Sequence, residues 1–154
     1  MKLCNCKIIY LIYNKETMDE IKFREAVRQI VKDDPRYAPE AYEFVSKAVV
    51  FTMLSLGRDK TPDHHISGQE LLDGFKRYAI QEFGPMAGEI MKNWGFSNST
   101  DVGNVVFNLV NRKLLGKTEN DSLSDFKSGL DFEKAFSEPF KTDKNQENNP
   151  PIIA

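Results

Sequence analysis

The chain has 154 residues, 40% apolar and 29% charged, with a formal charge of −2. That is the length of one domain with a real core, burying roughly 70% of its unfolded surface, and the composition of an ordinary globular protein. The slight negative charge gives no global field favouring nucleic acid or an anionic membrane.

Cys4 and Cys6, the two cysteines, stand near the N-terminus. A C-x-C pair is too close for an easy disulfide and supplies only two metal ligands. Free thiols in a reducing compartment are the plain expectation. A zinc site combining them with His64 and His65 has no recognised spacing, so no metal or cofactor is expected. The apolar run Ile8 to Tyr13 is shorter than a signal-peptide core and far shorter than the ~20 residues of a membrane span. The expectation is a cytoplasmic protein with no membrane role. Residues 1–17 read as an N-terminal extension, with a short edge strand as the alternative.

From Asp19 to Asp33, Phe23, Val27, Ile30 and Val31 fall on one stripe of a helix. Asp34-Pro35 ends it, because the residue before proline is pushed out of helical geometry. Pro39 suits the first position of a second helix, which runs to about Leu56 and is apolar nearly all round, the mark of a buried helix. Gly57 is its natural stop. The polar loop 58–65 follows. Ser67 and Glu70 then form a capping box, with Ile66 and Leu71 as a hydrophobic staple. Leu71, Leu72, Phe75, Tyr78, Ala79 and Phe83 are the buried face of this third helix. Gly84-Pro85 restarts the chain into a short fourth helix with Met86, Ala87, Ile90, Met91 and Trp94 inside. Gly95 allows a tight turn. Ser99 or Thr100 caps a fifth helix that buries Val102, Val105, Val106, Leu109 and Val110.

Leu114-Leu115 then reads as the start of a strand, and Phe126 to Phe136 as a returning strand or a small helix. Helix, short helix, glycine turn, helix and hairpin make a winged helix-turn-helix pattern. The expected fold is therefore mostly α, a helical domain over residues 18–140. Its C-terminal half is winged-helix-like with a small β-hairpin wing, and residues 141–154 form a disordered tail.

Such a module binds either DNA or protein. The outward positions of the fifth helix read as Asp101, Asn104, Asn108, Asn111 and Arg112, with Lys113 at its end. Asparagine can read adenine. Residues 117–138, however, carry three lysines against six acids, and an acidic wing repels phosphate. Arg36 and Tyr37, in the rigid link Asp34-Pro35-Arg36-Tyr37-Ala38-Pro39, are of the types favoured at interfaces; their plain role is to bridge acids and pack the corner. One of His64 and His65 reads as capping or packing against the third helix, with a catalytic or metal role, and so an enzyme using His64 or His65, as the weaker alternative. No catalytic motif is present, neither nucleophile elbow, phosphate loop, dinucleotide fingerprint nor H-E-x-x-H. The leading expectation is a non-enzymatic adaptor or regulatory module binding a protein partner through Arg36, Tyr37, Asn104, Asn108, Asn111, Arg112 and Lys113. The alternative is a winged-helix DNA-binding regulator.

The stretches DPRYAPEAYEFV, HISGQELLDGFKRYAIQEFGPMA and WGF…D.GNVVFNLV..KLLGKTENDSLSDF…DFEKAF resemble a family of conserved uncharacterised proteins from planctomycetes and verrucomicrobia. The likeness covers about Met18 to Phe140. It implies a bacterial, non-secreted, compact single-domain protein and brings no catalytic residues. It also favours the extension reading of residues 1–17.

Overall fold

The computed structural model describes residues 18–62, 64–117 and 121–141. The expected N-terminal extension, both cysteines and residues 142–154 of the expected tail lie outside them. Among the described residues, six α-helices follow in order: α1 (Met18–Asp33), α2 (Pro39–Ser55), α3 (Gly68–Phe83), α4 (Ala87–Asn93), α5 (Ser99–Asn111) and α6 (Phe132–Ser137). Single 3₁₀ turns occupy Arg58–Lys60, Gly84–Met86, Leu123–Phe126 and Glu138–Phe140. No helix among the described residues is long and apolar enough to cross a membrane.

The centre of the molecule is α2. Proline at its first turn needs no amide partner there, and nine of its residues are buried, from Ala41 to Met53. Two buried hydroxyls on this helix bond to its own carbonyls, Ser46 Oγ to Tyr42 at 2.9 Å and Thr52 Oγ1 to Ala48 at 2.7 Å. α3 packs most extensively on α2; α5 and α1 also lie against it, while α4 packs on α3. The tightest approach is at Gly74, where a Cβ would overlap the Thr52 side chain. Phe44 of α2 sits among the rings of Phe75, Tyr78, Phe83 and Trp94 at 5.0–5.7 Å. One apolar cluster extends from Val27 to Phe136.

The helix signals act as local chemistry dictates. Ser67 Oγ accepts from the Glu70 amide and the Glu70 carboxylate accepts from the Ser67 amide. α5 is capped one residue earlier than Ser99 or Thr100, by Asn98, whose side chain forms the same reciprocal box with Asp101. Ser99 instead turns inward and donates to the Phe126 carbonyl at 2.5 Å. Two helices end in the same six-to-one closure. After α4, Phe96 N–H reaches Met91 across Gly95 at φ 99°. After α5, Leu114 N–H reaches Leu109 across Lys113 at φ 59°.

The expected β-hairpin wing, and with it the winged helix-turn-helix half, is corrected here. No strand occurs among the described residues. Leu114 and Leu115 are the return of the α5 closure, and Leu115 goes into the core at 5% exposure. The acidic stretch beyond folds as the turn Leu123–Phe126 and helix α6, not as a hairpin. It holds to the body through side chains rather than through a ladder. Gln69 Nε2 donates to the Asp125 and Ser128 carbonyls, each at 2.6 Å. Phe126 fills a seat made by Gly68 and Gly103, whose missing side chains leave room for its ring.

Candidate functional site

The link between α1 and α2 brings most of the expected interaction residues to one place, but not as an open surface. Asp34 lies between them. Arg36 Nε and Nη2 donate to its two oxygens at 2.8 and 2.7 Å. Asn108 Nδ2 donates to Asp34 Oδ2 at 3.0 Å and to the Tyr42 hydroxyl at 3.1 Å. The hydrogen bonds from Arg36 hold the Asp34 carboxyl well below the ordinary carboxylate range; partial burial opposes them, and the Asn108 bond adds to the lowering.

Tyr37 is the deep member, 2% exposed. Its hydroxyl donates to Asp101 Oδ1 at 2.7 Å and accepts from Asn104 Nδ2 at 3.0 Å. Burial first, then the bond to Asp101, pushes its pKa up to about 12. Asp101 also accepts from the Ser97 and Asn98 amides at 2.8 and 3.1 Å. One carboxylate thus serves as helix cap and as anchor of the corner. Backbone contacts complete the joint: Ala38 N–H donates to the Trp94 carbonyl at 3.1 Å, and Gly95 lies so close to the Arg36 carbonyl that a Cβ would collide with it.

Asp101, Asn104 and Asn108 are therefore inward members of a polar seam, half-buried against the α1–α2 corner, where the sequence read them as outward. Arg112 continues the stripe by pairing with Asp33. Asn111 and Lys113 are exposed. Asp33, Asp34 and Tyr42 were not anticipated. The signal was present in the spacing: positions 101, 104, 108 and 112 follow the i, i+3, i+4 stripe of one helix face. A polar stripe reads as solvent-facing unless the element opposite it is polar too. Here that element is a loop. Among the described residues, no buried side-chain polar atom lacks a partner.

Arg36 is the outward part of this assembly. Its side chain is 60% exposed, yet its guanidinium is fixed on Asp34 and lies 5.2 Å from the Tyr37 ring centre. An ion pair this exposed adds at most about 1 kcal/mol of stability. Its effect is on orientation.

A second feature lies on the other side of α5. A cleft of about 90 Å³ is walled by Val49, Leu71, Val106, Val110 and Leu115. His64 and His65, both half-buried, line it together with Gly68 and Leu71 of α3, while Ser67 caps that helix. His65 Nε2 lies 2.9 Å from Asp121 Oδ1. Arg58 holds this loop from behind, donating to the His65 carbonyl and, at 2.9 Å, to Glu70. Lys117 Nζ stands 5.3 Å from the centre of the Phe107 ring beside the same cleft. No group of three or more His, Cys, Asp and Glu residues among the described residues could hold a metal ion.

Compared with protein-family models, with curated proteins and with solved structures, the chain matches none.

Proposed function

We propose that this chain is a non-enzymatic adaptor or regulatory module that binds a protein partner through the Arg36 corner and the exposed end of α5. The observation that carries the reading is the fixed, exposed guanidinium of Arg36. Arginine is among the residues that dominate binding energy at interfaces. Ordering its side chain before contact lowers the entropy lost on binding. The guanidinium donors not used on Asp34 meet no acceptor among the described residues. Asn111 and Lys113 add exposed polar contacts nearby in sequence to Arg112, which is tied back to the corner through Asp33.

The placement of the asparagines weighs against the nucleic-acid alternative. Reading adenine takes both the donor and the acceptor of an asparagine amide. Asn108 spends both donor positions within the fold, and Asn104 is half-buried on Tyr37. Arg112 is neutralised by Asp33. Few cations are left to contact phosphate.

The test is capture from a lysate of the source organism on the immobilised full chain, with and without nuclease, followed by mass spectrometry. The expected result is a stoichiometric protein that survives nuclease and is weakened at least about tenfold by Arg36→Ala, the loss of a single interface hot spot. A protein bound equally by Arg36→Ala, or none that survives nuclease, sinks the proposal. A defined DNA motif that is lost with the double substitution Arg112→Glu, Lys113→Glu makes the DNA-binding regulator the better reading.

A further inference from the structure

We infer that the cleft between α3 and α5 receives one aliphatic side chain of the protein partner, with a carboxylate beside that side chain meeting Lys117. The inference rests on the partner-binding reading above and names what the partner must carry. Size comes first. A cleft of about 90 Å³ is well below the roughly 300–1,000 Å³ of small-molecule sites. It is about three times the ~30 Å³ a water occupies in the liquid, the scale of a branched side chain of three or four carbons. Its walls are largely apolar, with Val49, Leu71, Val106, Val110 and Leu115 beside the Phe107 and Phe126 rings, so an aliphatic group gains from leaving water there. Anchoring one apolar side chain in a pocket ringed by polar groups is a common way for an interface to concentrate its energy.

Charge decides what stands beside the anchor. Among the described residues, each carboxylate beside the cleft is engaged. Asp121 faces the His65 ring, Asp125 accepts from the Ser122 amide at 2.9 Å, and Glu70 takes Arg58 and the Ser67 amide. Among the described residues, Lys117 meets the Phe107 ring and no carboxylate. An exposed ammonium on a ring face is held by about 0.5–1 kcal/mol at most. It turns to a carboxylate arriving at the mouth without breaking an ion pair. The fitting partner segment is thus an aliphatic residue next to an acid.

The minimal probe is N-acetyl-L-leucine, titrated into the full chain carrying labelled methyl groups and followed by NMR. The shifts should be saturable, in the millimolar range, and concentrated on Val49, Leu71, Val106, Val110 and Leu115. N-acetyl-L-leucinamide and the Lys117→Gln protein should each bind at least fivefold more weakly, and N-acetylglycine should leave the methyls unmoved. Shifts that do not saturate overturn the inference, as does equal binding of the amide or by Lys117→Gln. Lys117 is exposed, so that variant keeps its fold. A cleft-filling variant, Val106→Phe, checked by its melting curve, separates this inference from the broader one. A partner released by Arg36→Ala but kept by folded Val106→Phe overturns the cleft and leaves partner binding standing. A partner released by both supports the two together.

Discussion

Asn108 donates to Asp34 and to Tyr42, while Asn111, three residues further along the same helix, points to solvent. The two read alike in the sequence and should behave differently. Asn108→Ala leaves a carboxylate and the hydroxyl of the buried Tyr42 each short of one partner, and unmet groups of this kind cost about 1–3 kcal/mol. Asn111→Ala should change stability by no more than about 0.5 kcal/mol, the ordinary range for an exposed substitution. Chemical denaturation of both variants checks this. Equal effects would place the seam's bonds among those that contribute nothing net. Arg36 and Tyr37 were legible as a corner that bridges acids and packs, because Asp-Pro-Arg-Tyr-Ala-Pro restricts its own backbone. Their link to α5 was not legible, since the partners lie 64–74 positions apart and no local pattern encodes such a distance.

At the scale of elements, local chemistry was readable wherever it was decided within four residues. The Ser67 box, the Pro39 start and the Gly57 and Gly95 stops are all of this kind. The wing was misread because an apolar pair after a helix has two solutions, a strand or a helix closure that sends the second residue into the core. Lys113 in a left-handed conformation selects the closure, and lysine gives no sign of that in advance. Gly74 was also silent. It reads as a weak helix residue, yet it sets the α2–α3 approach. Gly74→Ala should destabilise the protein by about 1–3 kcal/mol through overpacking, despite alanine's better helix propensity. Thr52→Ala removes part of the obstruction, so Gly74→Ala should cost less in that background. A double-mutant cycle measures the coupling; strict additivity would mean the helices separate freely at this point.

For the molecule as a whole, the seam joins the α1–α2 corner to α5 through ionisable groups, so the joint depends on pH. Asp34 is depressed from its ordinary 3.8. Its contribution is complete above about pH 4 and is lost as pH falls below that. The stability gap between the wild type and Asp34→Asn should therefore narrow on acidification below pH 4, as thermal melts across pH 2–7 will show. At the alkaline end the sign reverses. Tyr37 is raised to about 12, so its contribution is full below pH 10 and fades as pH climbs toward 12. Tyr42 and Tyr78 are raised as well, both chiefly by burial. Tyrosinate absorbance should show these three ionising late and together with unfolding. An early, independent ionisation of all tyrosines near pH 10 would show that the corner is open to water.

The seat of Phe126 has a consequence for how the chain is made. Gly68 and Gly103 shape a slot that is filled by Phe126, a residue beyond α5. During synthesis, at roughly 5–20 residues per second, the helices up to Asn111 emerge about one to three seconds before Phe126 does. For that interval the nascent protein carries α1 to α5 and an open apolar notch. A ribosome stalled there would display a near-complete fold with a hole where its own next segment belongs, which is the kind of surface a chaperone binds.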